Sequence, residues 1–557
     1  MTWLTWVLLL GYIALSFALY KLFPKAGKPA NHALIPVWNM MVVAELVGRK
    51  PWHALLLLIP YFNVFIFAGL MVDLARSFGR YNFGEHVLSV IASWGYFGWL
   101  GTQADVRYNG PILEVEREFQ EKLAIAEKTK VPREINKVRA KYPQFEKPFY
   151  REWAEAAVFA IFAAAFIRLL LIESYIIPTP SMEGNLNVGD FLFVSKIHYG
   201  LRLPETLLMV PLAHNRAPFI NGESYIDGAQ LPYRRLPALE DVDRYDPVVF
   251  NVPAGDSLFY TPWHSFYQHD LRSFEAGDKN DFAPINARIQ SGEIDLITRP
   301  RDKRDHYVKR CIGLPGEVLE IKNRKVFIDG AAIEDPENVQ FTYKVTFSKA
   351  PDQELFSEWG ITSATNGDDI RQVDGNVMAI LLNERQINQL KAWDDQVTVT
   401  PWPSDQSIKD EEIRTDRQPS TVYYPHNKKY FGDYTVDDYG PVRIPAKGMT
   451  VKLDERTHIL YWRAIKVYED NPSYERRGKQ FFLDGQPIEE YTFQQDYYWM
   501  MGDNRHNSED SRIWGFVPED HILGKPLFVW FSLKENSLFR GVNWHRIGRS
   551  ASKQGGE

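Results

Sequence analysis

Ser181 stands behind Pro178 and Pro180 in the stretch IIPTPSMEGNLNVGDFLFV at 176–194. A serine on a stiff turn becomes a nucleophile when a base takes its proton; it can equally be an ordinary turn residue. A candidate base is Lys309, in the strand-like run of DHYVKRCIGLPGE at 305–317. A lysine titrating at about 10.4 is no base at neutral pH, but burial lowers that value toward the useful range. The same stretch also reads as a snorkelling or ion-paired lysine on an exposed strand face. A third stretch, MGDNRHNSEDSRIWGFVPEDHILG at 501–524, crowds Asp503, Arg505, Ser508, Asp510 and Arg512 between apolar strands. Paired Arg–carboxylate contacts could fix such a loop rigidly, and a hydroxyl on it could orient a lysine amine. A calcium loop is the rival reading, but the spacing is not that of an EF-hand and Arg505 and Arg512 would repel a cation.

Other chemistries find little support. His264 and His269 are five apart with no HExxH pattern, and no GxSxG elbow or phosphate-binding loop is present. The lone cysteine, Cys311, excludes an intrachain disulfide and a cysteine-based zinc site. The net charge of −7 gives no basic footprint for nucleic acid.

These residues need elements to hold them, and 557 residues are too many for one ordinary domain. Residues 3–20 carry no charge over 18 positions and suffice to cross a bilayer. A signal-peptide reading lacks a basic leading region and a small-x-small site. Further apolar runs lie at 52–72, 87–101 and 153–172, the last with Arg168 near its far end, where it can snorkel to the interface. The run 33–49 is interrupted by Pro36, Asn39 and Glu45 and reads as interfacial or re-entrant. We expect a membrane region at 1–106 with about three spans, a charged helical segment at 107–152 broken near Pro132, and a transmembrane helix at 153–173. Residues 104–151 hold eleven basic side chains and 21–51 hold five. The positive-inside rule therefore puts both in the cytoplasm and everything after 172 outside.

From residue 174 the pattern becomes short alternating runs between Gly, Pro and Asp, which read as strands of a mainly-β domain over 174–545. KVFIDGAAIED (325–335) and QFFLDGQPIEE (480–490) each look like a hairpin with an Asp-Gly turn, arising either from a repeat or from shared turn chemistry. The polar stretches 254–305 and about 336–479 read as insertions or extended loops, and 546–557 as a disordered tail.

In chain order, IPTPSM with VGDFLFVSK (177–196), RYDPVVFNVP (244–253), YVKRCIGLPGE (307–317) and GDNRHNSEDSRIWGFVP (502–518) resemble bacterial type I signal peptidases. The resemblance covers about 153–540 apart from the insertions and gives the first hundred residues no role. It implies a signal-peptidase-like β fold with insertions, anchored by transmembrane helices. It implies a Ser–Lys serine endopeptidase that removes signal peptides from exported preproteins after A-x-A sites. Carried over by position, Ser181 is the nucleophile and Lys309 the general base. The Ser181 N–H and Thr179 hydroxyl form the oxyanion hole. Ser508 orients the lysine, and Asp503, Asp510 and Arg512 hold its loop. Ile177, Met182, Leu186, Tyr307 and Val308 line the S1 pocket; Tyr175, Leu192 and Val249 help form S3. No cofactor or metal is implied. The partners are signal peptides, the bilayer and the secretion machinery, and the place is the cytoplasmic membrane, multi-pass, with the catalytic domain outside. The alternatives are a Ser–Lys membrane protease with a dedicated non-signal substrate and a catalytically silent binding scaffold. Departures from the family pattern are Thr179-Pro180 where many members have Ser-Gly, Gly184-Asn185 for a frequent Pro-Thr, His506 where aspartate is common, and a Ser181–Lys309 separation of 128 residues.

Overall fold

A computed structural model describes residues 3–58, 62–146, 149–206, 230–253, 257–260, 265–267, 294–349, 370–402 and 423–551, with shorter pieces at 209–210, 213–215, 222–226, 291–292, 351, 355–356 and 359–361. His264, His269, most of the 254–305 stretch and the last six residues lie outside these. The chain forms two compact units, 1–160 and 161–557, divided within one helix, Phe149–Leu170.

In the first unit, the 3–20 run forms the helix Trp3–Leu22. The 52–72 run does not form one crossing. It divides into a 3-10 segment, Pro51–Leu58, and a helix, Phe62–Ser77. Its flanks return to each other, with Arg49 Nη2 2.9 Å from Asp73 Oδ2. A straight crossing would separate them by about 30 Å, the thickness of the hydrocarbon core. The run contains Pro60, which has no N–H to continue a helical ladder. The 87–101 run also divides, into Phe83–Ile91 and Ser93–Thr102, which meet at Ala92 (φ −122°, ψ 44°). Each piece is only about 15 Å long at 1.5 Å per residue, half of what a crossing needs. It too turns back, since the Arg80 guanidinium lies 5.7 Å from the Trp99 ring centroid. The charged segment forms the helices Ile112–Thr129 and Pro132–Lys141, separated at Lys130 in a left-handed conformation. It is not a separate body. Leu113 N donates to Val47 O and Arg76 Nη2 meets Glu116 at 3.0 Å, so 107–146 packs with 1–106.

Glu152–Leu170 is the one helix among the described residues that is long and apolar enough to cross a membrane by the criteria of length and composition, and its surface is almost wholly exposed. Strand Ile172–Ile176 follows at once. Arg168, expected to snorkel to the interface, donates its Nε to Glu173 Oε1 at 2.7 Å, and Lys196 Nζ meets the other oxygen at 2.6 Å.

The second unit is built on a seven-stranded antiparallel sheet. Its strand order is Ile172–Ile176, Asp190–Ser195, Ile522–Ser532, Pro247–Asn251, His306–Gly313, Tyr497–Met501 and Val517–Pro518. Register shifts at Phe191/Leu192, Phe193/Val194 and Ile522/Gly524 curl it, as bulges do. Beside it lies an aromatic core that includes Trp499, Phe516, Tyr439 and Tyr497. The two expected hairpins are present. Asp329-Gly330 and Asp484-Gly485 all have positive φ, as a two-residue hairpin turn requires.

The 336–479 stretch is not extended loop. It contains a four-stranded sheet, ordered Ile370–Asp374, Val377–Leu382, Phe341–Thr346 and Thr398–Pro401. Helix Glu384–Trp393 belongs to the same lobe, which has its own core of Val345, Phe347, Ile380, Leu382 and Leu390. That helix and Glu455–Arg463 make the outer domain less purely β than its strand punctuation suggests, and each begins with a capping box, Asn383/Gln386 and Asp454/Thr457. Residues 546–551, expected in a disordered tail, pack instead. Buried Arg546 holds Asp190, and Val529 N donates to Arg549 O. A buried ion pair with a backbone bond beside it gives these residues the enthalpy that a free tail lacks.

Candidate active site

Ser181 lies in a short 3-10 turn, Pro180–Met182, entered from extended Thr179. Proline at the first helical position fixes the turn without losing a needed donor. Lys309 lies within strand His306–Gly313, opposite Val248. The sheet brings them together: Lys309 Nζ is 2.7 Å from Ser181 Oγ, and both side chains are buried. Burial pushes the Lys309 amine down to about 8, against the pull of Asp510, Glu509 and Asp503. Thr179 Oγ1 is 3.5 Å from Ser181 Oγ, on the exposed side.

The 501–514 loop closes over this pair. Gly502 approaches so closely that a Cβ there would collide with the Ser181 carbonyl oxygen and with Ser508. Asp510 accepts from Gly502 N at 3.1 Å and takes two bonds from the Arg512 guanidinium, at 2.9 and 2.7 Å. Burial alone would raise the Asp510 carboxyl, but Arg512 and its hydrogen bonds hold it below its ordinary value. Asp503 is bound twice by Arg310, at 2.7 and 2.6 Å, with the ion pair fully buried. The two aspartates beside the lysine are thus committed to arginines.

Ser508 does not make the expected bond to the lysine amine. Its hydroxyl is buried without hydrogen-bond geometry to any partner among the described residues, although it lies near enough to Asp510 to help hold that carboxyl down. The lysine nitrogen is turned to Ser181 instead.

Of the expected pocket residues, Ile177, Met182, Leu186, Leu192 and Val249 form one buried cluster, with Tyr175 and Val308 against it. Tyr307 packs elsewhere, against Val252 and Leu258, with its ring 5.3 Å from Lys309 Nζ. In alternating strands a one-residue step changes face, which separates Tyr307 from Val308.

Some contributors were not singled out from sequence. Arg310 supplies the partner of Asp503, where the loop's own arginines were expected to serve; Arg505 goes instead to Asp335 at 2.7 Å. Asn504 donates its backbone N–H to Ser181 O at 3.2 Å and its amide to Pro180 O at 3.3 Å. The lobe also grips the loop. Gln340 N donates to Asp503 O and Arg505 N to Gln340 O, at 2.8 and 2.9 Å. His506, the departure from aspartate, accepts from Thr342 N and contacts Asp437 at 2.7 Å, while burial keeps its imidazole below its ordinary pKa. Adjacency to Lys309 and Asp503 in the motifs was the available signal for Arg310 and Asn504.

A serine hydroxyl against a desolvated lysine, beside a buried apolar cluster, has the arrangement of acyl-transfer chemistry by the serine endopeptidase class. The family described as signal peptidase, peptidase S26, matches residues 150–380 and 440–531, more than half of the chain, and leaves 381–439 of the lobe region unmatched. Signal peptidase I of Buchnera aphidicola subsp. Schizaphis graminum is 48% identical over 411 residues, covering 72% of this chain and 82% of its own length. Signal peptidase I of Helicobacter pylori is 22% identical over 394 residues, 70% and 84% of the two chains. That of Aquifex aeolicus is 50% identical over 48 residues, 9% and 19%. The chain belongs to the signal peptidase family, peptidase S26, whose members are serine endopeptidases. Residues 32–111 match a second family, described as of unknown function (DUF5684).

Proposed function

We propose that the protein cleaves N-terminal signal peptides from exported preproteins with Ser181 as nucleophile and Lys309 as general base. The observation that carries this is the 2.7 Å contact between the two groups, with the amine pushed down to about 8 by burial. Neutral Lys309 takes the Ser181 proton as Oγ attacks the scissile carbonyl. The resulting ammonium then gives that proton to the leaving amine, and the same lysine activates the water that hydrolyses the acyl-enzyme. The Ser181 N–H and the Thr179 hydroxyl face the developing oxyanion. The cluster of Ile177, Met182, Leu186, Leu192 and Val249 takes the small side chains of an A-x-A site, with Tyr175 and Val308 at its edge. Asp503, Asp510 and Arg512 set the loop. Ser508 supports the loop through Asp510, whose carboxyl it helps to hold down.

The protein works at the cytoplasmic membrane, with helix 152–170 crossing, residues 3–20 crossing on the ground of their uncharged sequence alone, and the catalytic unit on the outer face. The return of 52–72 and 87–101 to their starting side supports two crossings rather than four, and an odd number of crossings is then avoided with the same outer placement. The secretion machinery delivers its substrates.

Detergent-solubilised protein should cleave a preprotein with an A-x-A site. Ser181→Ala and Lys309→Ala should each lower kcat/KM by at least about a thousandfold. The wild-type rate should climb as pH rises through about 8, where Lys309 loses its proton. Equal cleavage by all three proteins would remove the dyad. Cleavage of no preprotein by the wild type would turn the reading toward a dedicated substrate.

A further inference from the structure

We propose that the first unit binds the phosphate of an anionic phospholipid headgroup in a groove between Gly48–His53 and helix Ile112–Thr129. The groove holds a cavity of about 470 Å³ whose lining includes Arg49, Lys50, Arg117 and Glu116. Arg76 already occupies a Glu116 oxygen at 3.0 Å. Glu114 is exposed and its side chain also comes close to Gly48. Lys50 and Arg117 are exposed and have no acidic partner among the described residues. Arg117 is held at the rim by its bond to Gly48 O at 3.2 Å. Arg49 gives Nη2 to Asp73 and leaves its Nε buried without a partner among the described residues. His53 uses Nδ1 on Lys50 O, which leaves its other nitrogen turned away from that contact. A site with two exposed cations that lack an acidic partner among the described residues suits a phosphodiester, the group that rewards convergent charged donors.

A lipid rather than a soluble phosphate fits the surroundings. The segment that leaves the groove, Pro51–Leu58, exposes Trp52, Leu55 and Leu58, with Trp52 stacked on His53 at 4.1 Å. Acyl chains can lie along this apolar edge while the headgroup meets the rim, the arrangement of a basic pocket at the cytoplasmic interface of a membrane protein. The groove's two flanks come from the two lysine- and arginine-rich stretches, 21–51 and 104–151, which the helical returns bring to one side. The inference rests on the membrane reading above and not on the dyad.

The test uses the full-length protein purified in detergent and stripped of lipid, with dihexanoyl phosphatidylglycerol, dihexanoyl phosphatidylcholine and inorganic phosphate as separate probes. Phosphatidylglycerol should bind saturably and raise the thermal midpoint. Phosphatidylcholine and inorganic phosphate should bind at least about tenfold more weakly, and Lys50→Gln/Arg117→Gln should weaken phosphatidylglycerol about thirtyfold, the sum of about 1 kcal/mol for each of two interfacial cations. Equal binding of the two lipids, or wild-type affinity in the double variant with an unchanged midpoint, would overturn the site. Phosphate binding as tight as phosphatidylglycerol would overturn the lipid assignment. Flotation separates the underlying reading: protein that floats with phosphatidylcholine vesicles but ignores phosphatidylglycerol defeats only this inference, whereas protein that stays soluble without detergent defeats the membrane reading itself.

Discussion

The turn that carries Ser181 and the loop that closes over Lys309 are held by different forces. The turn has no charge pair of its own. Its proline-set entry, the apolar packing of Met182 and Leu186, and neutral hydrogen bonds from Asn504 fix it. The loop is fixed by two buried ion pairs, Arg310–Asp503 and Arg512–Asp510. A nucleophile needs only a place, which packing can supply. A base must change its charge, so the fixed charges around it have to be balanced. An unpaired Asp503 or Asp510 beside the amine would keep it protonated, and an arginine on each lets burial prevail.

The largest test of this contrast is Arg310→Met. It leaves Asp503 buried and uncompensated, and should cost about 3–5 kcal/mol by denaturant unfolding. It should also shift the pH–rate profile upward, since a freed carboxylate favours the lysinium. An unfolding free energy within 1 kcal/mol of wild type, a bound set by the size of an exposed pair, would mean that the pair is not what fixes the loop.

Lys309→Met comes next. The folded value of about 8 lies below the ordinary 10.5. Below pH 8 the folded chain carries the buried charge at a cost of about 3 kcal/mol. Between pH 8 and 10.5 the unfolded chain binds a proton that the folded chain does not, so wild-type stability climbs across that window. The variant should therefore be more stable than wild type at pH 7, with the gap narrowing by about 3 kcal/mol by pH 10.5. A pH-independent gap would contradict the desolvated lysine.

The smallest effect belongs to the turn. Asn504→Ala removes one neutral bond, to Pro180 O, and should cost about 1 kcal/mol of stability. If position is what the turn supplies, kcat falls in this variant while the pH profile stays where it is. A profile shifted as far as that of Arg310→Met would erase the distinction between the two regions.

What could be read beforehand divides along similar lines. Ser181, Lys309 and five of the eight pocket residues share one buried neighbourhood, because local motifs carry their own turn and strand chemistry. Arg310–Asp503 joins residues 193 positions apart, and nothing in either stretch names the partner. The Asp-Gly hairpins were legible since the turn needs positive φ at both residues. The lobe helix was not recognised, although Asn383 and Gln386 form a capping box, because charge and turn residues around it dominate the pattern. Apolar composition at 52–72 and 87–101 says that those runs avoid water; only contacts such as Arg49–Asp73 reveal that they turn back.

The sheet order has a consequence for how the protein is made. Strand Ile522–Ser532 lies between Asp190–Ser195, next to the serine turn, and Pro247–Asn251, next to the lysine strand. Until it is synthesised, the hairpin next to Ser181 and the strands that carry Lys309 have no shared backbone ladder. At about 5–20 residues per second, the ribosome reaches it about 10–45 s after Lys309. During that interval a half-made chain carries both Ser181 and Lys309 but lacks the strand that joins their elements in one sheet.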